Sequence, residues 1–174
     1  MKKNVIFLDL ETRGLKITSV WSLTAIKVSI DLETMEMIKI DEFDRKYYTE
    51  YYPRNFVEDE SNFYWFCSDT KHFVAHNIKF DRQFFPFPLE IQFDTMQENT
   101  EFIRLKGQGE EYKWPKLFEC ADFYKIPYEK ESLHTSYYDT LLMIKVFKEM
   151  TKYSQTKKRI QKFLNGTDRK WDWK

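Results

Sequence analysis

The most informative stretch of this sequence is Val5-Ile6-Phe7-Leu8-Asp9-Leu10-Glu11, near its start. Its four leading apolar residues, which are β-branched, aromatic or aliphatic, predict a buried strand. Because side chains alternate between the two faces of a strand, Asp9 and Glu11 should share one face while Leu10 points into the core. Two neighbouring carboxylates at the end of a buried strand repel each other and lose solvation, and a hard divalent cation relieves both costs.

An acidic pair of this kind is common by chance, so its context matters. With 28 acidic residues in a chain of 174, about four acid pairs two positions apart are expected at random. Most such pairs lie on solvated strand or loop edges. This pair stands out because it directly follows an apolar run, and because chemically related residues recur downstream.

Length and composition predict one globular domain. Of the 174 residues, 42% are hydrophobic and 18% aromatic, which excludes a disordered chain. The two cysteines, Cys67 and Cys120, lie in apolar stretches without metal-ligand spacing, so we expect core thiols and a reducing, cytoplasmic location. No stretch approaches the ~20 apolar residues of a membrane span, so no membrane partner is expected.

The charge of the chain is balanced overall but unevenly distributed. A formal net charge of zero argues against a protein that grips nucleic acid by bulk electrostatics, although a metal site can still hold a strand end. Residues 145–174 carry ten Lys or Arg and three acidic residues, a net +7, so the rest of the chain carries −7. Such a basic segment is more often a solvated helix face than a nucleic-acid contact.

Hydrophobic periodicity predicts an α/β architecture. Residues 20–30 and 37–43 read as two further strands, which should form an antiparallel meander with the first. Later segments alternate between helices and short strands. Strands are predicted at 73–75 and around Phe93, and helices over 58–67, 76–85, 114–124, 137–150 and 157–164. This order is typical of a mixed sheet flanked by helices.

Two downstream segments belong with the acidic strand. They are FVAHNIKFDRQFF, residues 73–85, and HTSYYDT, residues 134–140. Together with VIFLDLETRGL, residues 5–15, they match in order and spacing the three motifs of the DEDDh family of 3′→5′ exonucleases, which the chain resembles over roughly residues 4–150. The segment KWPKLFECADFYKIPY, residues 113–128, also resembles the family's helix before the third motif. The family includes the proofreading epsilon subunit of bacterial replicative DNA polymerase, ribonuclease T and oligoribonuclease.

The resemblance implies a fold, a reaction and a set of catalytic residues. The fold is ribonuclease-H-like, with a mixed five-stranded sheet (a three-stranded antiparallel meander plus parallel strands) flanked by helices. The reaction is phosphodiester hydrolysis with two Mg²⁺ or Mn²⁺ ions, which lie roughly 3.5–4 Å apart in such sites. Four carboxylates would hold the ions, and a histidine would be the general base on the attacking water. By resemblance these residues are Asp9, Glu11, Asp81, Asp139 and His134.

Substrate contacts are also implied by the resemblance, and they fall on Thr12, Gly14, Leu15, His76, Asn77 and Phe80. We expect the turn after the acidic strand to place Gly14 at positive φ, where a 3′-terminal nucleotide can approach closely, and Leu15 to wedge against the terminal base. Asn77 has an equally strong interpretation as a helix N-cap. Arg13 and the pair Tyr137-Tyr138 depart from the family's usual residues, but neither change removes a catalytic group.

The leading hypothesis is a metal-dependent 3′→5′ exonuclease that shortens single-stranded or frayed DNA and releases nucleoside 5′-monophosphates, in proofreading or repair. One alternative is an exoribonuclease that trims RNA 3′ ends, and another is a catalytically silent nucleic-acid-binding module. Proofreading would require a DNA polymerase subunit as partner. The chain then divides into an exonuclease domain, 1–152, and a basic C-terminal helix and tail, 153–174, whose end carries Trp171 and Trp173.

Overall fold

The structure, a computed structural model, describes residues 1–109 and 111–166 of the chain. The strands are β1 (Lys2–Thr12), β2 (Val20–Asp31), β3 (Met37–Lys46), β4 (His72–Ala75) and β5 (Ile91–Asp94). The helices are α1 (Phe56–Cys67), α2 (Ile78–Asp81), α3 (Thr95–Ile103), α4 (Leu117–Phe123), α5 (Ser136–Met150) and α6 (Ser154–Leu164). The predicted tail residues Trp171 and Trp173 lie outside the described residues.

The described strands form one mixed sheet in the order β3-β2-β1-β4-β5. β1 pairs antiparallel with β2, and β2 pairs antiparallel with β3, which confirms the predicted meander. β4 runs parallel to β1, and β5 runs parallel to β4. Because parallel strands end at the same edge of a sheet, residues that follow β1, β4 and β5 gather there.

Along β1 and β2, the face of the sheet toward α5 changes from apolar to polar. The register pairs, in order along β1, are Val5–Val28, Phe7–Ile26, Asp9–Thr24 and Glu11–Ser22. The apolar pairs are buried against α5, where the rings of Phe7 and Phe147 meet edge to face at 5.1 Å between centroids. Leu10 lies in the core on the opposite face, as predicted. The acidic pair therefore stands where the apolar core ends.

Helices cover both faces of the sheet. α4, α5 and α6 bury apolar side chains against one face, and α1 with the segment 78–89 covers the other. Cys67 and Cys120 are both buried free thiols, one in each core, which confirms that they are core thiols. None of the described helices combines the length and apolar character that crossing a bilayer requires.

Two helices are shorter than predicted. The helix expected over 76–85 is the single turn α2, followed by a 3₁₀ turn at Arg82–Phe84. Asn77, in the left-handed region with φ +79, delays its start. α4 begins at Leu117 rather than at 114, because Lys116 is still extended with φ −69 and ψ 159. The periodicity of the apolar residues predicts which face is buried but not where such local backbone turns interrupt a helix.

Candidate metal and active site

The predicted catalytic carboxylates converge at the end of β1. Asp9 and Glu11 extend from β1 toward α5, and Asp139 stands in the first turn of α5. One carboxylate oxygen from each of these three residues lies within 4.8 Å of the other two. The parallel pairing of β1 with β4 brings Asp81, at the end of α2, to the same edge of the sheet. We call Asp9, Glu11 and Asp139 the carboxylate cluster.

Asp81 is a neighbour of the carboxylate cluster but not one of its three members. Its side chain is only 3% exposed. Burial raises the pKa of Asp81 well above its usual value, and the nearby Asp94 carboxylate raises it further. The nearby backbone amides of Asp81 and Leu10 lower this pKa in part.

The electrostatics of the cluster favour a bound cation. Burial raises the pKa of Asp9 well above its usual value, and the carboxylates of Asp81, Asp139 and Glu11 raise it further. Burial also raises the pKa values of Glu11 and Asp139, whereas the charge of His134 lowers both. Acids whose pKa values rise together are unstable as a set of anions. A cation placed among them would remove that cost.

Two oxygens of the cluster are buried without a hydrogen-bond partner. They are Asp9 Oδ2 and Asp139 Oδ1. A buried acceptor left unpaired costs free energy, so native structures rarely contain one without a reason. Mg²⁺ and Mn²⁺ select carboxylate oxygens as ligands. The donor set therefore fits a divalent cation held by Asp9, Glu11 and Asp139, with Asp81 beside it.

His134 borders the same cleft as Asp9 and Asp139 and lies two residues before the start of α5. Its side chain is exposed, and its backbone lies in the left-handed region with φ +66. This conformation is uncommon for a residue other than glycine and carries strain, which concentrates at functional sites. An exposed imidazole at the edge of an acidic cleft is suited to accept a proton from water.

The cleft has a volume of about 310 Å³ and two unlike walls. The polar wall contains Asp9, Asn77, His134 and Asp139. The other wall is apolar and aromatic, and Trp114, which is 66% exposed, and Phe118 are its largest side chains. Sequence reasoning missed this aromatic wall, because the segment 113–128 was assigned only as a helix. The signal that could have found it is the spacing of two aromatics four positions apart beside Lys113 and Lys116.

His76 connects the two walls. Its Nδ1 lies 2.9 Å from Thr95 Oγ1, and its Nε2 lies 2.9 Å from the carbonyl oxygen of Pro115. Burial lowers the pKa of His76 to about 4, so the ring is neutral near pH 7. A carbonyl only accepts, so Nε2 carries the proton and Nδ1 is the acceptor; the one hydrogen of the Thr95 hydroxyl is shared between Nδ1 and the Ala75 carbonyl, which lies at 3.2 Å. His76 thus lines the cleft while it holds the start of the Trp114–Phe118 wall to the end of β4.

Asn77 and Phe80 occupy the turn that carries Asp81. Asn77 is the N-cap residue of α2, as one interpretation predicted, but its side chain makes no capping hydrogen bond. Instead the Asp94 carboxylate accepts the backbone N–H groups of Asn77 at 3.0 Å and of Ile78 at 3.1 Å. The Asn77 side chain lines the cleft. Phe80 is half-buried and packs on Phe84 with 5.2 Å between ring centroids.

The remaining predicted contacts lie on the loop after β1. The strand pairing is irregular between Glu11 and Thr12. Leu15 is 78% exposed. The expectation of positive φ at Gly14 is wrong; the Ser19 hydroxyl closes this loop by donating to the Gly14 carbonyl at 2.7 Å. The described lining of the cleft includes none of Thr12, Gly14 and Leu15.

Several solved structures share this fold. Exonuclease X in complex with 5′ overhanging duplex DNA matches with a TM-score of 0.58 and 16% identity, over 86% of this chain and 92% of that one. E. coli exonuclease I in complex with a 5cy-dA13 oligonucleotide matches with a TM-score of 0.65 and 11% identity, over 91% of this chain and 43% of that one. The zinc-ion-bound form of the E. coli exonuclease I–ssDNA complex matches with a TM-score of 0.67 and 13% identity, over 91% and 43%.

These matches establish the fold. The predicted ribonuclease-H-like architecture, with its mixed five-stranded sheet flanked by helices, is confirmed. The chain spans less than half the length of the exonuclease I chains that it matches. No protein-family model matches the sequence, and no curated protein sequence does either. Since one fold hosts many activities, function has to be argued from the site.

Proposed function

We propose that this protein is a metal-dependent 3′→5′ exonuclease that acts on single-stranded or frayed DNA ends and releases nucleoside 5′-monophosphates. The observation that carries the proposal is the carboxylate cluster, in which oxygens of Asp9, Glu11 and Asp139 lie within 4.8 Å of one another. Two buried oxygens of this cluster have no partner, and an exposed histidine borders the same cleft. Three solved structures that share the fold are exonucleases in complex with DNA, which supports a nucleic-acid substrate.

In this proposal Asp9, Glu11 and Asp139 hold the metal, with Asp81 beside them. We propose that the site binds two Mg²⁺ or Mn²⁺ ions, as two-metal sites for phosphodiester hydrolysis do. When bound, the ions stabilise negative charge on the attacking and leaving oxygens of the phosphodiester. The fold itself holds the carboxylates close together in the absence of metal. This arrangement is unfavourable for the charged carboxylates, as their raised pKa values show.

His134 is the proposed general base. An imidazole nitrogen of His134 takes the proton from the attacking water, because this side chain is exposed and borders the cleft beside Asp9 and Asp139. The backbone N–H of His134 donates to Asp139 Oδ2 at 3.0 Å, so the base is placed relative to a metal ligand by the chain itself. Histidine suits this role because its charge changes near neutral pH.

The aromatic wall favours an unpaired terminal base. Trp114 and Phe118 line the same 310 Å³ cleft as Asp9, His134 and Asp139. Bases of single strands stack on such side chains whatever their identity, because every base has a π-face. A base still paired in a duplex would have to leave its partner before it could lie there. Of the contacts implied by resemblance, His76 and Asn77 line this cleft, while Thr12, Gly14, Leu15 and Phe80 stay predictions.

Degradation of end-labelled oligomers tests the proposal. A 5′-labelled single-stranded DNA incubated with Mg²⁺ or Mn²⁺ should give a ladder that shortens from the 3′ end, with nucleoside 5′-monophosphates as the released product. EDTA should stop the reaction and excess metal should restore it. Intact substrate, or loss of the 5′ label as the first event, would contradict the proposal. RNA of the same sequence should be assayed in parallel, and faster degradation of RNA than of DNA would favour the exoribonuclease alternative. The polymerase partner, the proofreading or repair role and the cytoplasmic location stay predictions.

A further inference from the structure

We infer that three hydroxyl groups, those of Ser22, Thr24 and Ser136, position the first turn of α5 so that Asp139 meets the carboxylates of β1 at ligand distance. We call these three residues the hydroxyl bracket. They are positioning residues, since they act through Asp139 rather than on metal or substrate. The inference rests on the proposed function, because it names what builds that same metal site.

Ser22 and Thr24 stand directly beside the acidic pair. In the register of β1 and β2, Thr24 is opposite Asp9 and Ser22 is opposite Glu11. Residues directly opposed in an antiparallel pair project from the same face, with Cβ atoms about 4.5–5.5 Å apart. The two hydroxyl groups therefore point toward α5 from the same rows of the sheet as the proposed metal ligands.

Ser136 bridges these two hydroxyl groups from the other side. Its Oγ lies 2.6 Å from Ser22 Oγ and 2.8 Å from Thr24 Oγ1, and all three side chains are buried. Ser136 is the first residue of α5, two positions after His134 and three before Asp139. A shift of Ser136 relative to β2 would therefore move both the proposed base and a proposed metal ligand relative to the acidic pair.

A carboxylate outside the site fixes the direction of these bonds. Thr24 donates to Asp44 Oδ1 at 2.7 Å, and Asp44 is opposite Thr24 on β3. Because a carboxylate accepts only, the Thr24 hydrogen is used there, so Thr24 accepts from Ser136 and Ser136 accepts from Ser22. Hydrogen bonds that end on a charged acceptor are the stronger kind, and a chain of them reinforces itself. The three hydroxyl hydrogens of the bracket can therefore be placed in only one way that makes all of these hydrogen bonds.

Apolar packing alone cannot place Asp139 precisely relative to Asp9 and Glu11. Further along α5, side chains such as Met143 and Phe147 hold the helix to the sheet through contacts that have no preferred direction. Metal ligands must be placed to within about 0.2 Å. The hydroxyl bracket supplies directional bonds at the turn that carries Asp139, where the apolar core has ended and the carboxylate cluster begins.

Metal affinity tests the inference, because hydroxyl groups that merely fill the core would not change it. Isothermal titration of Mn²⁺ into the full chain should give a Kd raised roughly 10-fold or more in Ser136→Ala and Thr24→Val, the usual range for residues that orient metal ligands. Thr24→Ser should restore it. The matched control is Thr100→Val, which removes a buried hydroxyl whose bond to the Met96 carbonyl stays within α3; its Kd should equal that of the wild type.

A surface variant keeps the test decisive if the buried variants do not fold. Asp44→Ala removes the acceptor at the end of the chain of bonds from an exposed position, and it should raise the Kd several-fold more than Asp41→Ala, which removes another exposed charge of β3. Equal Kd values in wild type and in every folded bracket variant would overturn the bracket and leave the proposed function standing. A wild-type protein that binds no Mn²⁺ would overturn both.

Discussion

The backbone N–H of His134 donates a hydrogen bond to Asp139 Oδ2 at 3.0 Å. The proposed base and a proposed metal ligand are therefore held together by one short turn, in which His134 adopts φ +66. The bond uses one oxygen of Asp139 and leaves the other, Oδ1, buried without a partner. His134 and Asp139 thus combine backbone strain with a buried oxygen that has no partner. Such features concentrate at functional sites, and a catalytic site explains both.

Replacing His134 should separate catalysis from metal binding. His134→Ala removes the imidazole but keeps the backbone N–H that Asp139 accepts, so we expect kcat to fall by roughly 10²–10⁴, the usual contribution of a general base, with little change in Mn²⁺ affinity. Initial rates on single-stranded DNA and Mn²⁺ titration measure the two quantities. His134→Gly should lose activity equally but be more stable than His134→Ala, because glycine adopts positive φ without strain. An alanine variant within a few-fold of wild-type activity would refute the assignment.

The metal-free protein should be destabilised by its own site. Burial and neighbouring carboxylates raise the pKa of Asp9 above its reference value of 3.8, so the folded state binds this proton more tightly than the unfolded state does. The contribution of Asp9 to the free energy of unfolding should therefore be highest below pH 3.8, the reference pKa. It should fall as the pH rises from there through the raised pKa of Asp9 in the folded state. Glu11, Asp81 and Asp139 shift in the same direction and add to the effect.

Asp9→Asn tests this instability. Near pH 8 in EDTA the variant should unfold with a free energy roughly 1–3 kcal/mol higher than the wild type, because it removes a buried, unpaired charge. The difference should vanish at acidic pH, and Mn²⁺ should stabilise only the wild type. Thermal and urea unfolding at several pH values measure these effects, with the exposed Asp41→Asn as control. A variant less stable than wild type in EDTA at pH 8 would count against the account.

His76 should matter for substrate binding more than for metal binding. His76→Leu leaves the Pro115 carbonyl without its donor, whereas the Thr95 hydroxyl keeps the Ala75 carbonyl as a partner, so we expect a loss of roughly 1–3 kcal/mol in stability. The freed aromatic wall should raise KM, with the Kd for Mn²⁺ little changed. A matched control is His72→Leu. His72 is also a buried histidine of β4, but it lies at the other end of that strand, and its Nε2 has no partner that the substitution could leave unpaired. Equal effects on KM from both variants would show that His76 has no special role.

Trp114 should contribute to the binding of an unpaired base. Trp114→Ala should raise KM by a factor corresponding to about 1–3 kcal/mol, the measured range for one base stacked on an aromatic ring, and kcat should change little. Trp114→Phe should keep most of the affinity. Trp65→Ala is a suitable control, since Trp65 is also well exposed but lies on α1. An oligomer with an abasic 3′ terminus should bind wild type and Trp114→Ala alike, and a persistent difference would contradict stacking of the terminal base.

Local patterns predicted most of the fold and the core of the site. Alternation along β1 placed Asp9 and Glu11 on one face and Leu10 on the other, because strand geometry depends on near neighbours alone. The resemblance then brought in Asp139, which the structure places within the carboxylate cluster. Asp81 lies at the same edge but is not one of the three residues of that cluster, a distinction that depends on where α2 ends.

The features that sequence reasoning missed depend on contacts between distant segments. The Asn77 side chain makes no capping hydrogen bond because Asp94, on the neighbouring strand, already accepts the backbone N–H groups of that turn. The hydroxyl bracket requires the register of β1 with β2 and the placement of Ser136 against both, which joins positions 114 residues apart. The aromatic wall depends on the bond between His76 and Pro115, 39 residues apart. No periodicity encodes these distances.

The central claim is that the carboxylate cluster is the metal-dependent centre of an exonuclease. The most direct measurement is the shortening of 5′-labelled single-stranded DNA by wild type, Asp9→Asn and Asp139→Asn across one titration of Mn²⁺, with circular dichroism confirming that each protein is folded. The account predicts metal-dependent shortening from the 3′ end by the wild type and almost none by either folded variant. Undiminished shortening by a folded variant, or shortening by the wild type in EDTA, would contradict it.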